Sequence, residues 1–383
     1  MTTLPTLSLG GDGQSAPWTD ALAAAREVAE VAAAHAEADD RPGGFPEAGL
    51  AALRETGLLT APLPSDHGGL GLGTAPGSDH ALYLALAEIG RGSLPLGRIW
   101  EGHVNALVLI EAYGTEAQKA RWAADARDGH LFGVWNTEIP GDGVRYARDG
   151  ESVRVEGAKT FATGGAFVTR PLVPGALGDG WQMAVLSTDQ IRVEDQPDWW
   201  QAEGMRASRS GRVDFSGAEV SVTCLLGAPG DYLREPLFTG GSVRFAAVQL
   251  GGAQALADAA VAYLDGLGRS EDPVQQVRLG EVATRLETGR LWLLGAARQA
   301  GAAPDAVCAY ARMARTAIER VCLDVLERTD RAVGARGLGR PGVLERVGRD
   351  LRLYLRQPDP DGALAQAGAF SVAERRPPLG SDL

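Results

Sequence analysis

The chain has 383 residues, 45% of them hydrophobic and 22% charged, with a formal net charge of −12. That length needs two or three domains or layers around its apolar residues. The negative balance excludes nucleic acid and anionic membrane as expected partners, since both require a cationic surface. Three cysteines, Cys224, Cys308 and Cys322, lie far apart without a CxxC. A reducing cytoplasm is the expected setting, and the opening "MTTLPTLSLGGDG" lacks the cationic segment and apolar core of a signal peptide. No apolar run is expected to approach the ~20 residues that span a bilayer. The five histidines show no zinc-type spacing, so no metal site is expected.

From Trp18 to about Arg127 the pattern is helical. "TDALAAAREVAEVAAAHAEADD" starts at a Thr19/Asp20 cap and repeats apolar residues at three and four. "FPEAGLAALRETG" places proline near a helix start and Gly57 after its end. "SDHALYLALAEIGRG" and "IWEGHVNALVLIEAYG" continue the pattern beyond the glycine-rich loop "LPSDHGGLGLG".

Between about Leu131 and Leu226 the chain changes to short alternating runs such as "SVRVEG", "QMAVLSTD" and "GRVDFSGAEVSV", broken by Gly, Asp and Pro. That is strand-and-turn sequence. From about Tyr232 to Leu355 three segments of helical periodicity, each about 25 to 30 residues, read as a bundle. The expected class is α+β: an all-α domain over residues 1–128, a small β-barrel or sheet domain over 129–230, and a four-helix bundle over 231–383. Arginines gather near the end (Arg331, Arg336, Arg340, Arg346, Arg349, Arg352, Arg356), which leaves room for a local anion site.

Six segments then suggest a family. "GLLTAPLPSDHGGLGLG", "YGTEAQKARW", "WNTEIPGDG", "VEGAKTFATGG", "EGMRASRSGRVDFSGAEV" and "RAVGARGLGRPGVLERVGRD" stand in the order of the acyl-CoA dehydrogenase motifs. The chain resembles that family over roughly residues 20 to 370. The resemblance implies FAD. Thr137 and Glu138 match the family's Thr-Glu segment along the pyrimidine edge of the flavin, and Phe161 and Thr163 match its Trp-Ile-Thr, with Phe for Trp. Arg269 matches the arginine that a neighbouring subunit lends to the FAD pyrophosphate, although the Phe-Gly after it is absent and two acids follow. Arg331, Gly334 and Gly337 fall on the family's QxxGGxG, with arginine for glutamine and Ala335 for a glycine. A solvated helix end is the alternative reading there.

Dehydrogenation of an acyl-CoA needs a carboxylate base for the α-proton while the flavin takes the β-hydride. The family's usual glutamate position, eight residues after the aspartate of "RD", falls on Pro358, and its minority position falls on Gly241, beside Ser242 at the family's arginine. Three candidates remain: Asp359 (with Asp361 beyond it), and Glu101 and His103 on the helix that closes the acyl pocket in the family. An apolar pocket would favour a neutral acid by desolvation; an exposed glutamate at a helix start is the alternative. The expected function is therefore a CH–CH oxidoreductase acting on an acyl-CoA or related acyl compound, with an altered site. A flavin-dependent monooxygenase, with His103 beside the flavin, and a non-catalytic relative are the alternatives. The resemblance also implies a homodimer or homotetramer.

Overall fold

The computed structural model of the chain describes residues 16–373. Five helices come first: α1 (Ala16–Asp39), α2 (Glu47–Glu55), α3 (Asp79–Gly92), α4 (Leu94–Tyr113) and α5 (Glu116–Arg127). Their starts follow from local chemistry. Ser93 Oγ accepts from the Leu96 amide at 3.3 Å at the head of α4, and Pro95 sits in the first turn, where no amide donor is needed. Thr115 and Gln118 form a capping box at α5. Gln118 Nε2 also donates to the carbonyls of Thr223 (3.0 Å) and Leu225 (2.8 Å), so this cap ties the helices to the β region.

Ten strands follow: β1 (Phe132–Val134), β2 (Arg145–Asp149), β3 (Ser152–Glu156), β4 (Ala158–Ala162), β5 (Arg170–Leu177), β6 (Gly180–Val185), β7 (Glu194–Gln196), β8 (Gly211–Asp214), β9 (Ala218–Ser221) and β10 (Leu225–Leu226). Seven make one sheet in the order β10-β6-β5-β2-β3-β9, with β1 beside β5; β4-β8-β7 make a second. The buried Arg170 at the start of β5 joins Asp125 of α5 (2.5 Å) to Asp189 beyond β6 (2.6 Å). A buried guanidinium is tolerated because both carboxylates and the Thr169 carbonyl occupy its donors.

The last region holds α6 (Leu237–Gly266), α7 (Pro273–Arg298), α8 (Pro304–Gly337), α9 (Val343–Tyr354) and α10 (Pro360–Ala373). The expected helices are present, and α10, which packs on α8, is one more than the periodicity indicated. Its sequence "PDGALAQAGAFSVA" is apolar nearly all round, so no polar face marks it as a helix. The expectation about apolar runs needs correction too. Among the described residues, α6 is long and apolar enough to cross a bilayer, but 67% of its most apolar window is buried by the rest of the chain. It is the central helix of the bundle. Gly251 on α6 lies against the Ala87 carbonyl of α3, and Gly90 on α3 against the Val248 carbonyl of α6; a Cβ at either would overlap the facing backbone. That approach lets Ile89, Val248, Leu256 and Ile318 join Val153 and Phe215 of the sheets in one apolar core. The three regions are therefore packed on one another, and a site between them is held from several sides.

Candidate active site

The most exposed aromatic ring of the β region stands at the end of β4. Phe161 is 50% exposed, and its backbone is left-handed at φ 52°, a conformation that costs an aromatic residue about 1 kcal/mol or more. The strain coincides with a register shift between Lys159 and Ala162 against β8. Trp199 and Trp200 meet Phe161 edge-on, with centroids 5.2 and 5.8 Å away. Two residues on, Thr163 Oγ1 lies 3.0 Å from Ser210 Oγ, which lies 2.8 Å from Ser208 Oγ. Trp135 Nε1 donates to the Thr163 carbonyl at 3.0 Å, and the Thr160 amide to the Thr137 carbonyl at 2.9 Å. Thr137, Phe161 and Thr163 are thus brought to one place.

Glu138 belongs to the same segment but its side chain does not face out with Thr137. Its carboxylate turns inward and accepts from Lys159 Nζ at 2.6 Å and from the Val144 amide at 3.3 Å. Only the backbone of Glu138 remains for a ligand, because a buried ammonium draws the acid to itself. Burial holds the Lys159 pKa below the usual lysine range despite that partner. Among the described residues, the N–H groups of Asn136, Thr137 and Glu138 meet no acceptor. A row of free donors beside an exposed aromatic ring and a hydroxyl pair fits the edge and face of a flavin ring.

The two candidates on α4 have other work. Glu101 is 1% exposed but not alone: Arg98 Nη1 and Asn105 Nδ2 both donate to its carboxylate, and Arg244 Nε of α6 donates to Asn105 Oδ1. Burial opposes the Arg98 charge, and the Glu101 carboxylate more than offsets this, raising its pKa. Tyr232 and Tyr354 stand near this row; the Tyr354 hydroxyl is buried close to Arg98 without closing a hydrogen bond. An apolar wall around Glu101 was expected, and a charged row stands there. His103 is a structural pin. Its Nε2–H donates to the Leu59 carbonyl at 2.6 Å and its Nδ1 accepts from the Phe132 amide at 3.1 Å. Both nitrogens are committed, and burial lowers the pKa to about 4, so the ring is neutral and has no proton or lone pair to offer beside a flavin.

Asp359 stands at the head of α10. Its Oδ1 accepts from the Gly362 amide at 3.1 Å, capping α10, and the side chain is exposed. Asp361 is exposed in the first turn of the same helix. Pro358 and Pro360 end one segment and begin the next, and Arg315 binds the Pro358 carbonyl at 2.6 Å.

Arg269, Arg331, Gly334 and Gly337 gather at the far end of the bundle. Arg269 pairs with Asp272 at 3.7 Å, and Asp272 caps α7 through the Val274 amide at 2.8 Å. Arg331 is exposed and pairs with Glu327 at 3.0 Å, while its carbonyl accepts from Arg278 at 3.2 Å. Gly334, with φ 64° and ψ −177°, breaks α8 there, and Gly337 ends it. A cleft of about 550 Å³ between α7 and α8 is lined by Val274, Val277, Arg278 and Arg331. No hydrogen bond joins this group to the Thr137–Thr163 cluster among the described residues. Most of the C-terminal arginine run is occupied as well, by Glu345 at Arg340 (3.0 Å), Asp330 at Arg352 and Glu319 at Arg356 (2.6 Å).

Sequence reasoning missed Trp199, Trp200, Arg98, Asn105 and Lys159. The pair "WW" ahead of "EGMRAS" was an available signal, since adjacent tryptophans outside a core run are costly to expose. The row Arg98, Glu101, Asn105 also stood at helical spacing of three and four. Among the described residues, no group of three His, Cys, Asp or Glu side chains converges as a metal site would require.

Residues 20–130 match the acyl-CoA dehydrogenase N-terminal domain and residues 243–355 an acyl-CoA dehydrogenase C-terminal domain. Among curated proteins, the mitochondrial short-chain specific acyl-CoA dehydrogenase of Bos taurus is 27% identical over 82% of this chain and 79% of its own. The dibenzothiophene monooxygenase of Mycolicibacterium goodii is 25% identical over 94% of this chain and 95% of its own. Among solved structures, the dibenzothiophene monooxygenase TdsC from Paenibacillus sp. A11-2 has a TM-score of 0.83 at 25% identity, covering 94% of this chain and 99% of that one. TdsC has also been solved bound to FMN.

Proposed function

Because the chain belongs to the acyl-CoA dehydrogenase family, we propose that it is a flavin-dependent oxidoreductase that oxygenates its substrate rather than desaturating an acyl thioester. One observation carries this: neither family position for the α-proton base holds a carboxylate, since Pro358 and Gly241 stand there, and the nearest acids that could replace it are engaged or lie exposed at the start of α10. Gly241 has no side chain, Asp359 caps α10, and Glu101 is bound by Arg98 and Asn105. The similarity to monooxygenases over almost the whole chain supports the same reading.

The flavin, when bound, would supply the redox chemistry with oxygen. This chain would hold it. Phe161 offers a ring face, Thr163 and Ser210 offer hydroxyls, and the amides of Asn136 to Glu138 offer donors to the ring edge. The phosphate end supports FMN over FAD, since Arg269 and Arg331 are each paired with their own carboxylate. The charged row Arg98–Glu101–Asn105–Arg244 suits a substrate with hydrogen-bonding groups better than a plain acyl chain. A homodimer or homotetramer is part of this reading, supported by exposed Leu267, Val274, Val277 and Leu291 on the outer face of the bundle. Three buried free thiols support a cytoplasmic setting.

The test is to compare two reactions of the purified protein. Oxygen uptake that requires a reductase-supplied reduced flavin supports the reading. Anaerobic bleaching of protein-bound flavin by a short-chain acyl-CoA overturns it in favour of dehydrogenation. Protein that binds neither FMN nor FAD overturns both.

A further inference from the structure

Lys159 has no exposed surface, yet its ammonium lies 2.6 Å from Glu138, 3.0 Å from the Asn136 carbonyl and 4.8 Å from the centre of the Trp181 ring. Gly143 makes room for this arrangement, because a Cβ there would overlap the Glu138 carboxylate. The Asn136 carbonyl is drawn inward by Lys159 and the Thr137 carbonyl by the Thr160 amide. With both acceptors turned in, the N–H groups of Thr137 and Glu138, each opposite one of these carbonyls across its trans peptide plane, face the other way. Thr137, at the centre, is exposed.

We propose that Lys159 is a positioning residue for the flavin. Together with Glu138 it forms a charge-neutral clip that orients the donors of Thr137 and Glu138 and sets how strongly the site prefers reduced over oxidised flavin. The proposal rests on the flavin reading above. Reduction adds negative charge to the ring system, so any net charge left in the clip acts on the two redox states unequally. Paired, the clip is nearly silent. Glu138→Gln leaves a lone ammonium and should favour the reduced flavin; Lys159→Met leaves a lone carboxylate and should favour the oxidised one.

The experiment measures binding of FMN, oxidised and dithionite-reduced, to both variants under the same conditions. The ratio of reduced to oxidised affinity is expected to rise roughly ten-fold in Glu138→Gln and to fall by a similar factor in Lys159→Met. Oxidised FMN should also bind more weakly to Lys159→Met, because the segment loses its inward anchor. Equal ratios in both variants, or shifts of the same sign, overturn the proposal. Should Lys159→Met fail to fold, the sign in the near-isosteric Glu138→Gln decides alone. Unmodified protein that binds neither FMN nor FAD refutes the flavin reading itself, whereas normal binding with unmoved ratios refutes only the clip.

Discussion

The backbone N–H of Met205 donates to the Asp350 carboxylate at 2.6 Å. That bond joins α9 of the bundle to the loop that carries Trp200, Ser208 and Ser210. Trp200 Nε1 and Ser208 Oγ both return to the Met205 carbonyl, at 3.0 and 2.8 Å. A single residue with left-handed backbone (φ 55°) thereby links the bundle to the Phe161 cluster.

This bond has a pH signature. Burial raises Asp350 from 3.8 to about 6, against the Met205 N–H and Arg349. The native state then holds the proton more tightly than the unfolded chain does. Its contribution, about 3 kcal/mol, is full below pH 4 and is lost as pH rises through 6. His103 runs the other way: burial lowers it from 6.5 to about 4, so its contribution is full above pH 6.5 and is lost as pH falls through 4. Between pH 4 and 6.5 the two partly cancel. Urea midpoints should therefore climb more steeply with pH in Asp350→Asn than in the unaltered protein. A parallel curve would show that Asp350 is not shifted.

His103→Leu should cost about 2–4 kcal/mol at pH 7, because the Leu59 carbonyl and Phe132 amide lose their partner inside the core. Flavin affinity of the folded fraction should not change. A selective loss of oxygen uptake at unchanged stability would restore His103 to the chemistry.

Glu101→Gln and Asp359→Ala should separate a buried partner from a cap. Glu101→Gln strips the anion from Arg98 and is expected to destabilise by about 3 kcal/mol. Asp359→Ala should cost about 1 kcal/mol as a lost helix cap, with turnover intact. Loss of turnover in Asp359→Ala, with the melting curve unmoved, would identify a base after all.

Phe161→Gly should trade binding for relaxation. Glycine accepts a φ of 52° without strain, so stability should stay within about 1 kcal/mol of the unaltered protein. Flavin affinity should fall up to roughly ten-fold with the loss of an aromatic face. Unchanged affinity, read by quenching of flavin fluorescence, would place the ring elsewhere.

Gly251→Ala should destabilise by about 2–3 kcal/mol, since α3 and α6 must separate to admit the methyl group. A thermal midpoint equal to that of the unaltered chain would mean the helices are not packed this closely.

The architecture was legible because its signals are local. Periods of two and of three to four, caps such as Thr115 and glycines after helices lie within a few residues of one another. The helix α10 escaped because its composition has no polar face. Thr137, Phe161 and Thr163 were legible as a group because three short motifs flank one strand end. Trp199 and Trp200, about forty residues further on, could be placed beside Phe161 only by the folded sheet.

Composition and periodicity by themselves determined a chain of helices, then strands, then helices, and residue identity alone removed the base at Pro358 and Gly241. Which of the remaining acids leaves water was decided by tertiary structure. Glu101, Glu138 and Asp359 are equally plausible carboxylates in a sequence. Arg98 and Asn105, Lys159, and the amide of Gly362 claim them in the fold. For Glu101 and Glu138 the physical reason is desolvation: packing between distant parts of the chain withdraws these acids from water, and each then takes the donors within reach, whereas exposed Asp359 takes a local amide.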